Sequence, residues 1–138
     1  MIRRTPLLRR SSRRGKKTSK RRRSRLAMRR EADRIFALAV KARDDWACRK
    51  CGSVVRLQAA HVISRRYHAV RWELDNCIAL CAACHFGAHR DPLAFEAWVE
   101  ERWPGRLAVL KERARAGVKW IDYEAILARL TGGPRYEV

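Results

Sequence analysis

Two CxxC pairs, Cys48 with Cys51 and Cys81 with Cys84, stand 29 residues apart, and no other feature restricts the fold of this 138-residue chain so tightly. Each spacing lets two thiolates converge on one tetrahedral ion, so the chain is expected to fold back until the pairs meet. Four unrelated buried thiols are the weaker alternative, and a thioredoxin-like redox site would use one CxxC at a strand-to-helix turn rather than two. A closed four-thiolate site has no free coordination position. Its expected ion is therefore a structural zinc, whose removal unfolds the domain. The fifth cysteine, Cys77, reads as a small buried apolar side chain.

The first 30 residues hold 15 of the 33 Lys and Arg and no acid, leaving 18 bases against 14 acids in the other 108 residues. Most of the formal net charge of +19 is thus a property of residues 1–25, a basic tail. Such a run cannot repay its own ordering entropy and is expected to be disordered without DNA. Neutralising phosphates releases condensed counterions, which makes nucleic acid its natural partner ahead of an anionic membrane. No window approaches about 18 uninterrupted apolar residues, and the N-terminus lacks the roughly 7- to 15-residue apolar stretch of a secretory signal. The chain is read as cytoplasmic, without a membrane, and its cysteines as ligands rather than disulfides.

Helical periodicity begins after the tail, with Ile35, Leu38, Ala39, Ala42 and Trp46 on one expected stripe leading to Cys48. An extended run follows at RLQAAHVI, then a basic loop, a second short run at NCIAL, and a short helix over 82–89. That helix places His85 and His89 one turn apart on one face. Downstream, Asp91 with Pro92 starts a helix whose apolar side is Phe95, Trp98, Val99 and Trp103, and Pro104 and Gly105 stop it. Leu107, Leu110 and Ala114 suggest another. Asp122 caps a last one with Tyr123, Ile126, Leu127 and Leu130 inward, before Gly132, Gly133 and Pro134 end the order.

His61, Asn76, His85 and His89, at spacings of 15, 9 and 4, straddle the second thiolate pair and include three of the four histidines. Hydrolysis of a phosphodiester needs a base to activate water and a cation to neutralise developing charge, and histidine serves both needs. With His61 ending one strand and the helix of His85 and His89 packed across the hairpin, base and cation would face each other around a scissile phosphate. Asn76 would brace the loop.

The stretches AAHVISR and LDNCIALCAACHFGAH resemble the HNH family of nucleases, over roughly residues 48–89. The resemblance implies an α+β fold, a small ββα-metal domain with a four-cysteine zinc site flanked by helices, over residues 26–131 with C-terminal helices at 92–131. It implies a hydrolase cutting DNA, with His61 as general base, Asn76 as the family's asparagine, His85 and His89 as ligands of the catalytic ion, and 5′-phosphate products. The run LQAAHVISRR with its downstream CxxC is most similar to NinG-type recombination nucleases of phages. That implies a role in recombination or packaging alongside other phage DNA-processing proteins.

Many members of the family carry a further metal ligand just before the base, where this chain has Ala60. Two protein ligands would then hold the catalytic ion, with Asp75 or Asn76 as a candidate extra, and Mg²⁺, Mn²⁺, Ni²⁺ and Zn²⁺ all remain open for that position. Arg65, Arg66 and Arg71 are read either as a phosphate clamp or as a solvated basic loop, and His68 as facing solvent. A non-catalytic zinc ribbon that binds nucleic acid is the alternative, and a nuclease acting on RNA would share the same site.

Overall fold

The computed structural model describes residues 23–132, and Ser24 precedes its first helix. Its hydroxyl accepts the Ala27 N–H at 3.1 Å and caps helix α1, Arg25–Arg43. Residues 1–22 of the expected tail, and Gly133 and Pro134, lie outside the described residues. Arg25 belongs to the folded body instead of the tail. Its guanidinium donates to the Ile121 carbonyl at 3.0 Å and lies over the rings of Trp120 and Tyr123.

The buried row of α1 is not the expected stripe. Ala32, Phe36 and Val40, spaced by four, enter the core with Met28 beside them, whereas Leu38 and Trp46 are 42% and 50% exposed. Trp46 also lies past the helix end, in a turn where it and Asp45 both adopt φ 54°. Two apolar rows run along this helix, and the row bearing Phe36 is the one that neighbouring elements cover.

Those neighbours are the antiparallel strands β1, Leu57–His61, and β2, Cys77–Cys81, registered so that Ala59 pairs with Ala79 and His61 with Cys77. β2 is buried along its whole length. Its far edge is closed by the segment that follows α1, because the buried Asp44 carboxylate accepts the Ala79 N–H at 2.8 Å, while the Arg49 N–H donates to the Ala79 carbonyl at 2.9 Å. Side-chain alternation then splits the core in two. Cys77 and Ala79 pack with α1 and helix α5, Tyr123–Gly132. Ala60, Ile78 and Leu80 pack with helix α3, Pro92–Arg102, and the thiol cluster. Full burial of side chains the size of Ile78 and Leu80 contributes about 2 kcal/mol each.

Helix α2, Ala82–Arg90, follows β2 without a loop. Asp91 caps α3 through Ala94 N–H at 3.0 Å with Pro92 at its first position. A turn through Gly105, at φ 83°, leads to helix α4, Arg106–Ala116, and Asp122 caps α5 through Ala125 N–H at 3.0 Å. Five helices and a two-stranded sheet make the described residues α+β. No described helix is long and apolar enough to cross a membrane.

Candidate functional site

The two CxxC pairs meet. Cys48 opens a tight turn in which its N–H donates to Ser53 O and Gly52 N–H returns to Cys48 O, both at 2.8 Å, with Gly52 at φ 78°. Cys81 ends β2 and caps α2, its sulfur accepting the Cys84 N–H at 3.5 Å. The four Sγ atoms lie within 4.8 Å of one another, and Cys51 and Cys81 are 3.6 Å apart. A tetrahedral zinc with bonds of about 2.3 Å spaces its sulfurs by about 3.8 Å, so the cage fits such an ion. Burial resists ionisation of Cys48, yet backbone N–H groups of Cys81, Cys51 and Lys50 outweigh it and lower the thiol to about 6. Burial and the neighbouring thiols push Cys84 up to about 12. Such a cluster loses all its protons only when a cation compensates the charge, which is the behaviour of a metal cage. Cys77 takes no part; it is fully buried, and that burial pushes its thiol up to about 12.

From Cys84 to His85, the next residue of α2, the donors change from sulfur to nitrogen. His85 Nδ1–H donates to Gln58 Oε1 on β1 at 2.6 Å, which fixes the ring and leaves Nε2 as its unprotonated nitrogen. That Nε2 lies 3.1 Å from His89 Nε2. Two nitrogens bound at about 2.1 Å to one ion would lie about 3.0 to 3.4 Å apart, so the pair is spaced for shared coordination. Burial, then the charges of His89 and His61, hold His85 below the usual histidine value and favour its neutral, ligating form. Among the described residues no third histidine, cysteine or carboxylate completes a cluster with this pair. Neither considered extra ligand joins it. The Asp75 carboxylate lies 3.9 Å from Arg106 and outside the cleft, and the Asn76 side chain is spent on backbone partners.

His61 shares a cleft of about 480 Å³ with His85 and His89, walled also by Ala60, Arg65 and Glu96. His61 Nε2–H donates to the Arg71 carbonyl at 2.9 Å, leaving Nδ1 as the free base atom. Burial first, then the Arg71 and Arg65 charges, hold His61 below its ordinary value against the bond to Arg71 O, so it is neutral at physiological pH. Asn76, with no exposed surface, locks the intervening loop. Its Oδ1 accepts Ile63 N–H at 2.7 Å, and its Nδ2 donates to Ile63 O and Val70 O, both at 2.9 Å.

The basic loop divides. Arg65 is exposed and lines the cleft, and exposed Arg66 lies over its neighbour Tyr67. Arg71 is not available as a phosphate clamp, because it is buried and forms a two-pronged ion pair with Asp33 at 3.0 and 2.6 Å. His68 does not face solvent freely; it is half-buried and stacks on Trp72 with ring centroids 6.1 Å apart. Sequence reasoning missed both Gln58 and Asp33. Neither residue carries a spacing signal, since each is identified only by a partner far along the chain. In comparisons with known proteins, the chain matches no protein-family model, no curated protein and no solved structure.

Proposed function

We propose that the chain is a metal-dependent endonuclease of the HNH type that hydrolyses phosphodiester bonds in DNA. The observation that carries this reading is the cleft that His61, its Nε2 tied to Arg71 O, shares with the His85–His89 pair. His61 Nδ1 takes a proton from water, the water oxygen bonds to phosphorus, and the bond to the 3′ oxygen breaks. His85 and His89 would hold the divalent ion, Mg²⁺, Mn²⁺, Ni²⁺ or Zn²⁺, which when bound supplies positive charge to the phosphate oxygens. Arg65 adds a guanidinium at the rim, and Asn76 keeps the His61 loop in place. Zinc in the four-cysteine cage pins the start of α2, and hence both metal-binding histidines, to the turn after α1.

The charge supports a nucleic-acid substrate, since a chain of net +19 binds polyanions through counterion release, and the resemblance to the HNH family favours DNA. The resemblance to NinG-type nucleases supports a place in phage recombination or packaging. Supercoiled plasmid incubated with the full chain and each divalent ion in turn tests the activity. The expected result is metal-dependent nicking that EDTA abolishes and that His61→Ala reduces by about 10² to 10⁴ without loss of fold. The rate should hold at neutral pH and fall only as the pH drops through the depressed His61 value, below histidine's ordinary 6.5, because protonation removes the base. Tight DNA binding with no cleavage under any metal would favour a non-catalytic zinc ribbon, and cleavage of RNA alone would change the substrate.

A further inference from the structure

His61 is held by a backbone carbonyl, and a carbonyl in a loop is only as well placed as the residue that carries it. That residue is Arg71, whose guanidinium is fastened on two sides. Nη1 donates to Arg65 O at 3.0 Å, and Nε and Nη2 donate to the two carboxylate oxygens of Asp33 at 3.0 and 2.6 Å. Asp33 Oδ1 also accepts the indole N–H of Trp72 at 2.9 Å. One carboxylate on α1 therefore grips two consecutive side chains of the loop, 38 and 39 residues further along. Arg71 and Trp72 are buried at 8% and 3% exposure, so the grip acts on side chains that have little freedom to reorganise. Burial alone would raise Asp33, but the hydrogen bonds from Arg71 and Trp72 prevail and hold it below its usual value, ionised. The same helix presents Phe36 beside the His61 ring, with centroids 5.8 Å apart.

We infer that Asp33 is a positioning residue for the general base: through Arg71 it fixes the carbonyl that binds His61 Nε2–H, and so keeps Nδ1 free to take a proton. This deepens the nuclease reading and rests on it for its catalytic meaning, although the tautomer it predicts is a property of the protein alone. It extends the working site to α1, outside the 48–89 stretch that contains the histidines and thiolates.

The zinc-loaded full chain, labelled with ¹⁵N in its histidines, tests this by imidazole NMR, with His61 assigned by the signal lost in His61→Gln. Wild type should show His61 protonated at Nε2. In Asp33→Asn and Asp33→Ala a substantial fraction should shift to Nδ1–H, and Asp33→Glu, which can still grip the guanidinium, should restore the wild-type signal. Plasmid nicking should fall about 10-fold to 100-fold in kcat with KM little changed, as for other groups that orient a working histidine. An unchanged His61 signal in a folded Asp33→Ala protein overturns the inference even if nicking falls. A wild type that never cuts, with the tautomer shifting as expected, removes the nuclease reading and leaves the positioning intact. Should Asp33→Asn and Asp33→Ala both fail to fold, Arg71→Lys decides, because it keeps the charge and loses the two-pronged grip. A shift there supports the inference, and none overturns it.

Discussion

Around the start of α2 the fold gathers four sulfurs within 4.8 Å of one another, and from the very next residue, His85, the helix presents two imidazole nitrogens 3.1 Å apart. Both sets rest on the same hairpin and helix. The first, Cys48, Cys51, Cys81 and Cys84, could fill the tetrahedron of one ion, whose binding energy would then go into holding the chain together. An ion held by the second pair, His85 and His89, would keep positions for water or substrate oxygens, beside a cleft of about 480 Å³. The number of ligands the protein supplies, more than their kind, separates a staple from a place where a reaction can occur.

The largest effect should come from emptying the staple. Strong chelation, or Cys84→Ser, should abolish the cooperative thermal transition, since structural zinc sites of this kind are worth about 10 to 16 kcal/mol in small peptides. Circular dichroism melts alongside metal analysis check this, with one tightly held ion expected per chain before chelation. A Cys84→Ser protein that melts like wild type without metal would show that the hydrophobic packing of Ile78, Leu80, Phe95 and Val99 suffices, and the contrast between the two ends of α2 would collapse.

The cleft has a staple of its own, an amide in place of a metal. Asn76 satisfies Ile63 N–H, Ile63 O and Val70 O from a fully buried position. Asn76→Ala removes three hydrogen bonds and leaves buried backbone groups unpaired, for a loss of about 3 kcal/mol. Urea unfolding at fixed zinc measures it. A loss under about 1 kcal/mol would mean that Ile63, Val70 and Leu110 hold the loop by packing alone.

How much of this was legible depended on range. The CxxC pairs, the strands at 57–61 and 77–81, and the caps Asp91 and Asp122 follow from local spacing and chemistry, and they stand where those signals place them. The set His61, His85 and His89 was legible as a pattern, and the fold brings it to one cleft. The buried row of α1 was not, because periodicity reveals that a helix has apolar rows without revealing which one a distant hairpin will cover. Arg71 failed for the same reason. An arginine in a basic loop looks free until Asp33, 38 residues away, arrives beside it.

The smallest effect is also the most discriminating. Gln58 is an exposed side chain on β1 whose one side-chain hydrogen bond among the described residues is the 2.6 Å bond that fixes His85. Gln58→Ala should leave the melting transition and the tightly held ion of the thiolate cage unchanged, because it removes almost no buried surface and touches none of the four sulfurs. It should weaken binding of Mn²⁺ or Ni²⁺ at the His85–His89 pair by about 10-fold, the usual cost of losing the group that orients a ligating imidazole. Calorimetric titration of these ions into zinc-loaded protein reads the two sites separately. Loosening of both ions would mean that α2 transmits strain between its ends, and the staple would then tune the cleft as well as support it. Weakening of the second ion alone would show that ligands on adjacent residues, Cys84 and His85, can keep a structural metal and a reactive one independent.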